Sequence, residues 1–227
     1  MKTEVISLGG SLIIPKEIDF NFLHKFKKAI RKLYKTHKFV VVCGGVSIAR
    51  TYISTLKEEG KKGKELSLAG IRATRMNALF LMQFFGKEAN DFLPKDMKDI
   101  NSLIKKNNLV ICGALRYKEN ETSDGTAAHL AHYLKTDFIN LTNVKGLYTK
   151  DPKKHKNAKF IKKISWKNFN LMAGKIKFKP GQHFVLDQEA AVIIKKYKIP
   201  TYILGKDLRQ MENLLKGKLF AGTIIKG

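Results

Sequence analysis

The feature that most constrains the fold is a set of five short apolar runs, most of them followed at once by glycine or by polar residues. The runs are rich in Val and Ile and apolar on both faces, as expected of parallel strands that helices cover on both sides. They predict strands over Glu4–Leu8, Phe39–Cys43, Leu109–Cys112, Phe138–Leu141 and Thr201–Leu204.

Helical periodicity fills much of the chain between these runs. The stretch Phe20–Tyr34 carries apolar residues on one face and lysines on the other, and Ile71–Phe85, Thr126–Leu134 and Glu189–Tyr197 also read as helices. Alternation of strand and helix predicts a single α/β domain over residues 1–227, a three-layer α/β/α sandwich with a mostly parallel central sheet. Ligands of such sheets bind at the carboxyl ends of the strands.

The charge and cysteine content indicate which partners and which redox environment the protein has. Lys and Arg total 44 against 19 acidic residues, a net charge of +25, but the basic residues are spread along the chain and no RNA-stacking motif accompanies them. A lysine-rich proteome or high intracellular salt explains this better than a specific nucleic-acid partner. Cys43 and Cys112 each end an apolar run, which is typical of buried free thiols in a reducing cytoplasm. No segment approaches the length of a membrane span, so no membrane partner is expected.

Two glycine pairs follow the first two predicted strands. Gly9-Gly10-Ser11 and Gly44-Gly45 allow close approach of a ligand, and free amides in such turns cradle phosphate oxygens. Arg50 follows the second pair on a predicted helix, where it can add a bidentate phosphate contact. The spacing matches neither a Walker loop nor a dinucleotide fingerprint, and tight turns alone explain most such pairs.

Two further segments carry polar groups beside predicted strands. Thr122-Ser123-Asp124 precedes a helix, where an N-cap is the simplest interpretation. The run Thr142–Pro152 follows a strand and offers Tyr148 and Asp151 three residues apart, a pair that can stack on a base and bind a sugar. The alternative is that Tyr148 only covers the core.

These motifs together resemble the amino acid kinase superfamily and, within it, the archaeal UMP kinases. The matches occur in the same order along the chain, between residues 5 and 225. They are Gly9-Gly10-Ser11, Gly44-Gly45 with Ala49-Arg50, Gly70-Ile71 through Thr74-Arg75-Met76-Asn77-Ala78, Thr122-Ser123-Asp124, Thr142-Asn143-Val144 with Gly146, Tyr148 and Asp151-Pro152, Leu186-Asp187 with Ala190-Ala191, and Gly222-Thr223-Ile224-Ile225.

The resemblance implies transfer of the γ-phosphoryl group of ATP to UMP in pyrimidine nucleotide biosynthesis. It implies Mg²⁺ with ATP, no metal site built from protein ligands, and a homohexamer assembled from dimers. It assigns ATP binding to Gly9, Gly10, Ser11, Gly45, Thr142, Asn143, Tyr148 and Asp151. It assigns UMP binding to Gly44, Arg50, Ser67 and the segment Ala114–Ser123, which includes Ala114, Thr122 and Ser123. The expected catalytic residues are Asp124, Arg50 and Lys145.

Four positions depart from the family pattern. Ser7 stands where many members have a lysine, and Val46 stands where the second motif has its third glycine. Ser67 replaces an acidic residue that recognises the nucleoside of UMP, and Lys145 replaces an aspartate. These changes leave open a kinase with another small acceptor, a non-catalytic nucleotide- or anion-binding member, and, from charge alone, an RNA-binding protein. We hypothesise that Lys145 partly replaces the missing lysine; the alternative is an ordinary surface lysine.

The helix predicted around Thr74–Phe85 is apolar on nearly all sides. Leu79, Phe80 and Phe84 extend its apolar surface beyond one face. Such a helix must be covered all round. We therefore expect it to form a dimer contact, the alternative being a central helix buried within one chain.

Overall fold

The computed structural model describes residues 1–115, 122–152, 154–175 and 185–227. The strands are β1 Lys2–Leu8, β2 His37–Cys43, β3 Leu109–Cys112, β4 Phe138–Leu141, β5 Leu147–Tyr148, β6 Phe160–Ile161, β7 Lys163–Ile164, β8 Thr201–Leu204 and β9 Thr223–Ile225. The helices are α1 Gly10–Ile13, α2 Phe20–Arg31, α3 Val46–Glu58, α4 Lys64–Phe85, α5 Met97–Lys106, α6 Ser123–Tyr133, α7 Trp166–Gly174, α8 Gln188–Tyr197 and α9 Leu208–Leu215.

A mostly parallel sheet forms the middle layer and confirms the predicted fold class. Its strand order is β3-β2-β1-β4-β8-β9-β7, in which the five strands predicted from the sequence lie side by side and run parallel. β9 pairs antiparallel with β8, and β7 pairs parallel with β9. The chain runs from β1 outward to β3 and then returns to the other side of β1 to form β4. The strand order therefore reverses between β1 and β4, the point at which such sheets bind ligands.

The two faces of the sheet contribute alternate residues to two hydrophobic cores. Val5, Val40 and Val110 point to the side covered by α5, α6, α7 and α8. Ile6 and Val41 point to the other side, which is covered by α1, α2, α4 and α9. Because helices cover both faces, the strands have no polar face, and this is why they read as continuous apolar runs. Cys43 and Cys112 are buried and free, as predicted.

Several helix limits differ from the predictions. α2 ends at Arg31 rather than Tyr34, because the chain turns through residues 32–36 to enter β2. α4 begins at Lys64, seven residues before the predicted start at Ile71, and Gly70 lies inside it. α6 and α8 begin at Ser123 and Gln188, so polar residues that the sequence placed before these helices lie in their first turns.

The α4 helix is only partly covered by its own chain. Ala78, Leu81 and Phe85 are buried, whereas Met76 and Leu79 are 68% and 42% exposed. The alternative of a helix fully buried within one chain is therefore wrong for this face. Among the described residues, no helix combines the length and the hydropathy needed to cross a bilayer.

Candidate active site

Two glycine turns pack against each other at the carboxyl edge of the sheet. A side chain at Gly9 would meet the Leu141 carbonyl oxygen at 2.8 Å, and one at Gly44 would meet the Gly10 amide nitrogen at 2.7 Å. The Gly9 amide donates to the Leu141 oxygen at 2.9 Å, which ties the end of β1 to the end of β4. Only glycine allows this backbone approach. α1 and α3 begin directly after these turns, so their amino ends lie at the strand-order reversal.

Polar side chains of α4 hold the segments that follow β2 and β3. The buried Asn77 donates to the Gly44 carbonyl oxygen at 2.7 Å. Thr74 accepts from the Ala114 amide at 2.9 Å, and Arg75 Nε donates to the Ala114 oxygen at 3.0 Å. The stretch that resembles a family motif on α4 therefore acts here as a clamp. It positions the start of the segment Ala114–Ser123, to which the resemblance assigns UMP binding. Residues 116–121 of this segment lie outside the described residues.

Asp124 is in the first turn of α6 and points towards β1. Thr122 caps the helix, accepting from the Gly125 amide at 3.0 Å. The Ser7 hydroxyl on β1 donates to Asp124 Oδ1 at 2.7 Å. Thr122 thus caps α6, as the sequence predicts, and Asp124, which the resemblance assigns to catalysis, lies beside β1.

A second carboxylate, that of Asp187, lies close to Asp124 and caps α8. Asp187 Oδ1 accepts from the Ala190 amide at 2.8 Å, and its Oδ2 accepts a short hydrogen bond from the Thr122 hydroxyl. Asn140 of β4 donates to the Val185 carbonyl oxygen just before it. The amino ends of α6 and α8 are therefore joined side by side through one carboxylate.

The pKa values of both carboxyl groups in this pair are raised. Both side chains keep partial solvent access, yet the protein surrounds the carboxylates closely. Burial, together with the charge of Asp187, raises the pKa of Asp124 to about 7, although the Ser7 hydrogen bond opposes the shift. Burial also raises the pKa of Asp187, against the hydrogen bonds from Ala190 and Thr122. Near neutral pH, the pair lies close to the point at which it gains or loses a proton.

The segment after β4 forms a small ribbon at the same edge. The Thr223 hydroxyl accepts from the Leu147 amide at 2.8 Å and donates to the Ile161 oxygen at 2.5 Å, which holds β5 and β6 against β9. Tyr148 meets Phe160 edge to face, with ring centroids 5.4 Å apart. Tyr148 is half-buried, so its ring remains partly accessible at the edge of the site.

Three of the predicted site residues are less constrained. Arg50 is exposed on α3, one helical turn after the Gly44-Gly45 turn. Ser67 lies in the first turns of α4, where its hydroxyl donates to the Gly63 carbonyl oxygen at 3.2 Å. Lys145 is exposed, and a side chain at Gly205 would meet its Cα at 3.2 Å, which places Lys145 beside the end of β8.

Other residues of the site were not predicted as site residues. Ser7 was noted only as a missing lysine, yet it is the group that contacts Asp124. Asp187 was seen only as part of a motif, although an Asp three residues before an apolar helical pattern is a recognisable capping signal. Thr74 and Asn77 gave no signal beyond their position in a motif, and Asn140 gave none beyond its place in a predicted strand, because their roles depend on segments far away in sequence.

Three kinds of comparison with known proteins agree on the family and on the fold. The family model of the amino acid kinase family matches residues 2–205. A uridylate kinase of Thermococcus kodakarensis is 34% identical over 224 residues, which cover 98% of each chain. The crystal structure of uridylate kinase from Archaeoglobus fulgidus superposes with a TM-score of 0.83 at 33% identity, covering 99% of this chain and all of that one. UMP kinase from Ureaplasma parvum, at 22% identity and a TM-score of 0.80, shares the fold.

Proposed function

The chain belongs to the amino acid kinase family, and we propose that it is a uridylate kinase that transfers the γ-phosphoryl group of ATP to UMP. Full-length similarity to uridylate kinases from several archaea supports this activity. We further propose that residues 1–227 act as one domain in pyrimidine nucleotide biosynthesis. The buried free thiols of Cys43 and Cys112 support a reducing, cytoplasmic setting.

The observation that carries the proposal is the meeting of two glycine turns with the amino ends of α3 and α6 beside the reversal between β1 and β4. The turns before α1 and α3 are glycines in backbone contact, and Asp124 in the first turn of α6 accepts from Ser7 of β1. Helix amino ends and free amides attract phosphate oxygens. This edge therefore suits the phosphate groups of a nucleotide donor and of a nucleotide acceptor.

We carry the proposed roles over from the family resemblance, and the placement of the glycine turns and of Asp124 supports them. Gly9, Gly10, Ser11 and Gly45 hold the ATP phosphates, whereas Thr142, Asn143, Tyr148 and Asp151 hold its nucleoside. Gly44, Arg50, Ser67 and the segment Ala114–Ser123 hold UMP, and Asp124 organises charge at the reaction centre. Phosphoryl transfer needs in-line positioning and compensation of charge on the phosphoryl oxygens more than covalent help.

Mg²⁺ is expected to arrive with ATP rather than at a site of its own. The described residues contain no group of three or more His, Cys, Asp or Glu side chains that can hold a metal ion. Mg²⁺ commonly keeps several waters and is bound through substrate phosphates. The ion would supply charge compensation on those phosphates, and we assign no protein ligand to it.

A coupled assay of ADP release tests the proposed activity directly. We expect turnover with UMP, less with CMP or AMP, and very little without an acceptor. The comparison among acceptors matters because Ser67 stands at the position of an acidic nucleoside contact and its hydroxyl binds a carbonyl of its own helix. Equal rates with every acceptor, or ADP release independent of acceptor, would contradict uridylate kinase activity.

We propose that the exposed side of α4 forms a dimer contact within a larger homo-oligomer, a hexamer by family resemblance. Met76 and Leu79 of α4 are exposed, and α3, which packs against α4, exposes Ile48 and Tyr52 at 39% and 55%. Leu79→Arg should dissociate the assembly, because a charge cannot be buried unpaired in an apolar contact. Light scattering measures the mass; a wild-type monomer at micromolar concentration would reject the contact. Val192→Arg on α8, also exposed, is the matched control.

The catalytic role of Lys145 stays a prediction. Its exposed side chain fits a surface lysine as well as one that meets a phosphate when ATP is bound. If Lys145 compensates charge in the transition state, Lys145→Ala lowers kcat by about 10²-fold. If it does not, kcat is unchanged and only the salt dependence shifts. Lys195→Ala, on α8, controls for the loss of one surface charge.

A further inference from the structure

Asp187 connects the amino ends of α6 and α8. Its two carboxylate oxygens have different partners: Oδ1 accepts from the amide of Ala190 in its own helix, and Oδ2 accepts from the Thr122 hydroxyl at the start of α6. Because Thr122 also caps α6 through the Gly125 amide, Asp187 reaches the backbone of α6 through a single intervening hydroxyl. Asp124 lies two residues beyond Thr122, in the same helical turn.

Ser7 holds Asp124 from the opposite side. Its hydroxyl comes from β1, the central strand at the reversal point, and is 1% exposed as a residue. A chain of contacts therefore runs from α8 through Asp187 and Thr122 to α6, and from Asp124 through Ser7 to β1. Neither Ser7 nor Thr122 brings a positive charge to compensate the two carboxylates.

We propose that Asp187 is a positioning residue for phosphoryl transfer, which holds Thr122 and thereby sets the placement and the charge of Asp124 at the reaction centre. The inference rests on the proposed kinase function. Asp187 need not touch either substrate, because its effect reaches the site through the amino end of α6.

The charges around Asp124 give the proposal a pH signature. Asp187 faces Asp124 from the amino end of α8, and Glu189 lies beside Gly125, where a side chain would meet a Glu189 oxygen at 3.0 Å. Ser7 faces it from β1. Among the described residues, the charge that raises the pKa of Asp124 is that of Asp187, and no cation lowers it. With a pKa of about 7, Asp124 is mostly protonated at pH 6 in the substrate-free protein, so kcat/KM should fall about tenfold from pH 8 to pH 6.

The decisive variant is Asp187→Asn, which removes the charge but keeps a side chain able to cap α8. We expect the acid limb of the pH profile of kcat/KM to move to lower pH, so that the variant loses less of its kcat/KM between pH 8 and pH 6 than the wild type. Substrate phosphates titrate equally in both proteins and cancel in this comparison. Asp187→Ala should show the same shift and also lower kcat at pH 8 by about tenfold, because the Thr122 contact is lost.

Two controls separate positioning from general destabilisation. Thr122→Val removes the hydrogen bond to Asp187 but leaves both carboxylates. We therefore expect kcat to fall while the acid limb of the pH profile stays in place, and Thr122→Ser should restore kcat. Asp96→Asn changes the capping residue of α5, which accepts from the Lys98 and Asp99 amides, and should leave the pH profile unchanged.

A readout without turnover separates this proposal from the kinase proposal. The titration of Asp124 can be followed by carboxyl ¹³C NMR in substrate-free protein, and it should move to lower pH in Asp187→Asn whether or not UMP is the acceptor. An unshifted Asp124 titration in Asp187→Asn, or wild-type kcat at pH 8 in Asp187→Ala, would overturn the positioning role. Absence of UMP phosphorylation by the wild type, with the NMR shift intact, would overturn the kinase proposal alone.

Discussion

The two edges of the sheet each hold a buried carboxylate, and they treat it differently. At the amino edge, Glu4 of β1 is 1% exposed and forms an ion pair with Lys2 at 2.9 Å, with Asp137 and Tyr202 nearby. At the carboxyl edge, Asp124 receives a hydroxyl from Ser7 of the same strand and has a second carboxylate beside it. Burial raises the pKa of both acids, but only Glu4 has a cation that opposes the shift.

The difference indicates which edge is built for a ligand. A buried carboxylate with a cation beside it has part of its charge compensated, whereas one without a cation costs free energy that a bound cationic group can recover. Arg50, one of the cations at the carboxyl edge, forms no ion pair within the described residues. Charges that are left uncompensated at one edge and compensated at the other are typical of a functional site opposite a structural one.

The largest expected effect is the difference in kcat between a variant that neutralises Asp124 and one that neutralises Glu4. Asp124→Asn should lower kcat by about 10²–10³-fold, because the amide keeps the shape and the Ser7 contact but not the charge. Glu4→Gln should leave kcat within about twofold, since Glu4 lies at the opposite edge of the sheet. Steady-state kinetics with saturating ATP and UMP measures both. Comparable losses in the two variants would break the distinction between the edges.

A smaller effect is expected for the unpaired cation. Arg50→Ala should lower kcat/KM by about 10–100-fold, equivalent to about 1.5–3 kcal/mol for the loss of a charge-assisted phosphate contact. Arg31→Ala is the matched control, because Arg31 is already paired with Glu88 at 2.8 Å on the surface. Unchanged kinetics in Arg50→Ala would remove this residue from the site.

Neutralising each acid should also change the stability of the protein, and the gain should be larger for Asp124 than for Glu4. A carboxylate whose pKa is raised on folding contributes stability below its unfolded pKa and loses it as pH rises through its folded pKa. For Asp124 this window extends from about 4 to about 7. Asp124→Asn, which stays neutral, should therefore increase the free energy of unfolding at pH 8 by about 1–3 kcal/mol, after discounting for solvent access, and change it little at pH 4.

Denaturant unfolding at the two pH values tests that prediction. Glu4→Gln should gain less at pH 8 than Asp124→Asn, because it also gives up the Lys2 ion pair. A variant Asp124→Asn that is less stable than the wild type at pH 8 would mean that the carboxylate is compensated in the substrate-free protein.

The smallest expected effect is at the paired edge. Lys2→Ala should reduce the free energy of unfolding by about 0.5–1 kcal/mol at pH 8, since Lys2 is 60% exposed and its ion pair is partly screened. The loss should disappear near pH 4, where Glu4 is protonated. A loss that persists at pH 4 would assign the effect to packing of the lysine stem instead.

Most of the fold was accessible from local patterns. β3, β4 and β8 have the predicted limits, and the inward faces of α2 and α8 are as expected, because burial on both sides of a sheet leaves a direct record in residue type. The two-residue strands β5, β6 and β7 were missed, since pairs this short have no periodicity. The start of α4 was missed because Gly70 suggests a break and only six residues of the helix, 64–69, precede it.

The sequence by itself determined the layered α/β architecture, the family and the set of glycine turns, because strand burial, turn geometry and motif order all depend on neighbouring residues. Only the tertiary structure decided that Ser7 contacts Asp124 across 117 residues and that Asp187 holds Thr122 across 65 residues. Those contacts arise where β1, α6 and α8 converge at one edge of the sheet. A carboxylate acquires its pKa from whatever surrounds it in space, and neighbours along the chain do not disclose that environment.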